Sequence, residues 1–281
     1  MRLNNDVFQR LDAVELPSPP AVVGRLAQLL NQDRTTAAEI SAALELDATM
    51  AARLLRLANS VVLGGNGCVE TVAEAVLRVG VETIRDVVFA LSMAGSLRPT
   101  HFAYRPFWRH SLAVAHTTRL IQARLPKVGE GAPEAYAAGL LHDIGMLVFD
   151  RALGSRYKEV LAQARGSKQP VWLVERELLG LDHGEAGARV LASWGMPVRL
   201  IDAARFHHVP SESPQEVTRT VALADIVCNH LGFHHGTGYL PKIFDDPTWT
   251  LLGLEVTVLP GIAAEVRKGI ERVERLLAAA A

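Results

Sequence analysis

The chain has 281 residues, with 29 lysines and arginines against 30 aspartates and glutamates, a formal net charge of −1, and 49% hydrophobic but only 6% aromatic residues. That balance excludes a disordered or fibrous chain, and near-neutral charge without a basic run removes the electrostatic footprint of a general nucleic-acid binder. With no run of about 18 apolar residues to span a bilayer, and no apolar centre in MRLNNDVFQRLDAVELP to make a signal peptide, the expected protein is cytoplasmic, without membrane or nucleic-acid partners.

Apolar residues recur three and four apart and alternating β-branched runs are few, which predicts an all-α fold. After the rigid turn Leu16-Pro17-Ser18-Pro19-Pro20, a short helix is expected over 21–31. Thr36 with Glu39 makes a capping box for the next one. A third helix starts at Asp47, carries Met50, Leu54, Leu57 and Ala58 on one face, and ends before the turn Gly64-Gly65-Asn66-Gly67. Helices over 70–79 and 82–96 complete a small lobe of residues 1–98, with Arg98-Pro99-Thr100 as the boundary. Beyond it, helices are predicted over 105–125, 133–148, 154–165, 170–179, 183–194, 197–206 and 214–233, then a loop over 234–247. A last helix follows Leu259-Pro260, and its stripe Ile262, Val266, Ile270, Val273 and Leu277 reads as a docking face, within the chain or in a homodimer. Cys68 and Cys228 are too few for a disulfide framework and read as small buried hydrophobes.

All ten histidines fall after residue 100. In order, the residues able to carry chemistry are His110, His142-Asp143, His183, His207-His208 and Asp225. Neutral imidazoles with carboxylates suit a divalent cation such as Fe, Mn or Zn, and an aspartate can bridge two ions with its two oxygens. These side chains sit in apolar helical segments, where their burial is costly unless a partner of opposite charge offsets it. A metal would do so; a polar core without one is the competing reading. His101 and His116 read as surface or boundary residues, and His230, His234 and His235 as a solvated loop. Trp108, Trp172, Trp194 and Trp249 read as separate packing anchors, and Glu175-Arg176-Glu177 as a solvated helix face.

The phrases LPSPPAV, LLRLANS, AVLRVG, FWRHS, GLLHDIG, DHGEAGA, WGMP and HHVP resemble, over about residues 10–230, the HDOD branch of the HD superfamily. HDOD proteins are the HD-related output domains of bacterial signalling proteins. The resemblance implies an HD-like helical bundle, residues 99–281, joined to the smaller N-terminal lobe. It implies that His110, His142, Asp143 and Asp225 surround one metal, and that Asp143 bridges to a second held by His183, His207 and His208. It departs from the related HD-GYP phosphodiesterases at Met146, where those carry a lysine, at Val209, where they carry a glutamate, and in lacking the GYP loop, since Gly238-Tyr239 lies beyond Asp225. The expected function is signal transduction through a partner protein, with a metal site of one or two ions. The alternative is a metal-dependent phosphohydrolase acting on a nucleotide or cyclic dinucleotide, with Asp143 essential to catalysis; Arg109, Arg119 and Arg205 are not assigned to phosphate.

Overall fold

The computed structural model describes residues 7, 9–11, 36–59, 68–80, 84, 98–125, 135–235, 239 and 241–280. The expected turn at 16–20, the helix over 21–31, the glycine turn and, apart from Ile84, the helix over 82–96 lie outside them. Among the described residues the secondary structure is α-helical, with two short 3-10 turns and no strand. No helix among them is long and apolar enough to cross a membrane. The chain divides into two compact units, one of Ser18–Ser96 with Arg267–Ala281, the other of Met1–Pro17 with Leu97–Val266.

In the smaller unit, α1 (Ala37–Glu45) opens on the Thr36/Glu39 capping box, with both reciprocal hydrogen bonds made. α2 (Ala48–Ala58) starts at Asp47, whose carboxylate accepts from the Met50 N–H at 3.0 Å. Its predicted face, Met50, Leu54, Leu57 and Ala58, is buried. The Asn59 side chain clamps the Val69 backbone through N–H and carbonyl at 2.7 and 2.8 Å. The clamped Val69 is buried while its neighbours are exposed, so Cys68 is exposed, contrary to expectation, whereas Cys228 is buried. α3 (Val72–Val79) has a second capping box, Thr71 with Glu74.

The larger unit contains α4 (Tyr104–Gln122), α5 (Ala135–Leu141), α6 (Ile144–Leu153), α7 (Ser155–Ser167), α8 (Val171–Leu179), α9 (His183–Ser193), α10 (Val198–Phe206), α11 (Glu216–His230), α12 (Thr248–Leu251) and the start of α13 (Leu259–Ala280). α4 packs on α5 and α11, α9 on α6 and α10, and α10 on α11. Ile262, Val266 and Ile270 of the α13 stripe are buried within the chain. Where one helix was expected over 133–148, the structure has two, broken at His142-Asp143. Asp143 lies at φ −96°, ψ 10°, the sparsely populated bridge region, and its carbonyl accepts from the Met146 N–H at 2.9 Å. The break turns both side chains out of the helical progression and toward one point.

Glycines set how closely the site-bearing helices approach. A Cβ on Gly139 of α5 would lie 2.7 Å from the Ala115 Cα of α4, and one on Gly184 of α9 would lie 2.8 Å from the Ala204 carbonyl oxygen of α10. The tightest contact is at Gly145 of α6, where a Cβ would fall 1.8 Å from the His183 carbonyl oxygen and 2.6 Å from the Gly187 nitrogen. Both obstacles are backbone, so only separation of α6 from α9 makes room. Gly145→Ala is therefore expected to lose at least about 3 kcal/mol of stability, seen as a lowered denaturation midpoint; an unchanged midpoint would contradict this close approach.

Candidate metal centre

Five helices of this unit, or their ends, carry the site residues. α4 carries His110 on its buried face, the break after α5 presents His142 and Asp143, and His183 is the first residue of α9, capped by Asp182, whose carboxylate accepts from the Glu185 N–H at 2.9 Å. His207 and His208 follow the last turn of α10, and Asp225 lies within α11. The structure brings all seven residues of the series together. His110, His142, Asp143, His183 and His207 are at most 3% exposed.

The Asp143 carboxylate lies between two histidine groups. Its Oδ2 is 3.2 Å from His142 Nε2 and 3.5 Å from His110 Nε2; its Oδ1 is 3.1 Å from His183 Nε2 and 3.5 Å from His207 Nε2. Asp225 Oδ1 is 3.1 Å from His110 Nε2, and His208 Nε2 is 2.8 Å from His183 Nε2. Donor atoms bound to one ion at roughly 2.0–2.1 Å are on the order of 3 Å apart. His110, His142 and Asp143 form one group of potential metal ligands, and His183, His207 and His208 another.

The far nitrogens of four of these rings are held by oxygens. His110 Nδ1 donates to the Phe233 carbonyl at 2.6 Å, His142 Nδ1 to the Gly139 carbonyl at 2.7 Å, and His207 Nδ1 to the Ala204 carbonyl at 2.8 Å. His183 Nδ1 donates to Glu175 Oε2 at 2.6 Å. A carbonyl or carboxylate only accepts, so the proton is fixed on Nδ1 and each Nε2 is aimed inward, the outer-sphere arrangement of metal-bound imidazoles. His207 Nε2 is buried with no hydrogen-bond partner, and His110 and His142 face each other Nε2 to Nε2 at 3.3 Å. Facing donors and an orphaned one fit an intervening cation.

Charge is correspondingly displaced. Burial opposes a proton on His110, yet hydrogen bonds to Asp143 and Asp225 raise it to about 10. Burial likewise opposes a proton on His183, but the Glu175 and Asp143 carboxylates raise it well above the ordinary imidazole value. Burial, then the neighbouring His207 and His183, push His208 well below it. Burial would raise Asp143, but His142, His110 and His183 hold it well below the usual carboxylate range.

Two residues that local pattern assigns to solvent belong to the site. Glu175 is fully buried and accepts from the Tyr157 hydroxyl at 2.7 Å and from the His183 N–H at 2.8 Å, besides His183 Nδ1. The turn between α8 and α9 places it there, while Glu177 stays exposed. His235, expected in a solvated loop, has its Nε2 2.8 Å from Asp143 Oδ2. Burial, then the charge of His110, lower its proton affinity. Trp172, besides packing, stacks on His208 with ring centroids 5.3 Å apart. A cavity of about 740 Å³ opens onto Asp143, His183, His207, His208, Asp225 and His235.

This helical unit, with its histidine and aspartate groups around one shared carboxylate, has the architecture of an HD-type domain. The HDOD domain model matches residues 16–210, and the chain belongs to that family. An HDOD domain protein of unknown function from Geobacter sulfurreducens superposes with a TM-score of 0.81 at 23% identity, over 98% of each chain. A candidate phosphohydrolase from Shewanella amazonensis superposes with a TM-score of 0.69 at 26% identity, over 96% of this chain and 98% of its own. An uncharacterized protein of Treponema pallidum is 25% identical over 236 residues, 82% of this chain but 45% of that protein, so the chain spans less than half of the curated relative it matches.

Proposed function

We propose that the chain is a regulatory module of bacterial signalling whose HD-type site binds a pair of divalent ions and whose output is contact with a partner protein. The carrying observation is Asp143, each of whose oxygens faces a different group of inward-aimed imidazoles. His110, His142, Asp143 and Asp225 would hold one ion; Asp143, His183, His207 and His208 would hold the other. Fe, Mn or Zn bound there supplies Lewis acidity and a water of lowered pKa. A regulatory rather than hydrolytic use is supported by Met146, which replaces the lysine of the HD-GYP enzymes and is 1% exposed. It is also supported by the cavity wall, where the described residues include the carboxylate of Asp246 but no lysine or arginine. Phosphate would therefore meet few positive charges besides the ions.

A second reading, hydrolysis of a nucleotide or cyclic dinucleotide, is favoured by the cavity onto which the site opens. Affinity capture with the metal-loaded chain decides between them. The regulatory reading expects a defined partner retained also by Asp143→Ala, and no turnover on a panel of phosphoesters. Turnover that requires Asp143, with no partner recovered, would replace it with the hydrolase.

Metal binding itself has a pH signature. His110, raised from 6.5 to about 10, carries a proton at neutral pH in the metal-free protein, and the ion must displace it. Apparent affinity is therefore expected to rise by about tenfold per pH unit for each proton displaced, and loading to acidify a weakly buffered solution. Titrations at two pH values below that of His110 check this; a pH-independent affinity would contradict binding through His110 Nε2.

A further inference from the structure

His235 is the one imidazole at the shared carboxylate that the HD-type series leaves out. Its position is built. α11 ends at His230 and is closed by Gly232 (φ +86°), with the Phe233 N–H bonded to the Cys228 carbonyl at 2.9 Å and the Gly232 N–H to the Asn229 carbonyl at 3.2 Å. This paired closure of a helix C-terminus turns the chain sharply back. The next carbonyl, that of Phe233, accepts from His110 Nδ1. Two residues on, the His235 ring stands edge-on to His110 with centroids 4.5 Å apart, and its side chain is 11% exposed.

We infer that His235 is a further ligand of the ion held by His110, His142, Asp143 and Asp225, an assignment that rests on the proposed metal site. Its Nε2 lies 2.8 Å from Asp143 Oδ2, the oxygen that faces His110 and His142 at 3.5 and 3.2 Å. That is the spacing of two donors on one ion. Its Nδ1 is buried with no hydrogen-bond partner, so Asp143 is its one polar contact among the described residues. With His235 the first group has three imidazoles and two carboxylates, more donors than tetrahedral zinc takes and suited to six-coordinate iron or manganese. His235 also lies on the cavity wall, as Asp143 and Asp225 do, whereas His110 and His142 do not, so it is the one imidazole of the first group that meets the cavity. His183, His207 and His208 all face the cavity and make the second group the open one.

The test is Co(II) titration of the full chain followed by visible absorption, with elemental analysis, for wild type, His235→Ala and the adjacent His234→Ala. In His235→Ala, one of two equivalents is expected to bind at least about tenfold more weakly. Its absorption should intensify as coordination number falls, and competition should shift toward zinc. His234→Ala should match wild type, and circular dichroism should show all three folded. Equal affinity and spectrum in His235→Ala would overturn the assignment, as would weaker binding with an unchanged spectrum, which marks a hydrogen-bond donor outside the coordination sphere. The same loss in His234→Ala would overturn it too. Wild type that binds two ions while His235→Ala is unaffected refutes only this inference; wild type that binds none refutes the metal site itself.

Discussion

Asp143→Ala is expected to strip both ions from the protein at once, because one of its oxygens faces each histidine group. Elemental analysis of untagged protein should fall from about two equivalents of metal to near zero, in contrast to a substitution confined to one group, which should cost about one. The metal-free proteins should differ as well. Without Asp143, the protons that the carboxylates hold on His110 and His183 against the effect of burial lose a counter-charge in a buried site. Leaving buried charge uncompensated costs about 3 kcal/mol. The sign follows from the raised His110: its protonation stabilises the fold below its ordinary value of 6.5, and that contribution is lost as pH rises through about 10. The penalty of Asp143→Ala should therefore shrink between neutral pH and about 10. Asp143→Asn, which keeps the shape, should still lose the ions. Retention of one full equivalent by either variant would refute the bridging role.

Glu175→Ala is expected to weaken the second ion while leaving the first in place. Glu175 is a positioning residue: it accepts from His183 Nδ1 at 2.6 Å, which fixes the proton there and aims Nε2 at Asp143. Loss of such an outer carboxylate costs about 10–100-fold in metal affinity. Truncation also leaves the Tyr157 hydroxyl and the His183 N–H without their acceptor in a fully buried site, a further loss of about 3 kcal/mol. Glu175→Gln can accept through its carbonyl but not through its amide nitrogen, and should fall between. Exposed Glu177→Ala should change neither quantity. Metal titration with thermal denaturation separates the outcomes. A stability loss without any change in the second affinity would reduce Glu175 to a packing role.

The sequence by itself determined the helical class, most helix starts, and seven of the residues that meet at the site. The capping box at Thr36, the start at Asp47 and the buried face of α2 are written in residues three and four apart, and their physics is local. The histidine and aspartate series was legible for a different reason: costly residues recur in otherwise apolar helices, and all seven converge. The tertiary structure alone decided which atoms meet. The break at His142-Asp143 has no glycine or proline within it; it is held by the bond of His142 Nδ1 to the Gly139 carbonyl and by the approach of α6 to α9 at Gly145. Glu175 sits in a charge run beside exposed neighbours, and only the return of α9 against α8 shows that it is buried. His235 joins Asp143 across a separation of 92 residues. Its one local signal is Gly232, which the helix expected over 214–233 runs through and which marks a turn but not its destination. Periodicity and capping act within a few residues, whereas a buried carboxylate selects its partners through contacts that exist only after the helices pack.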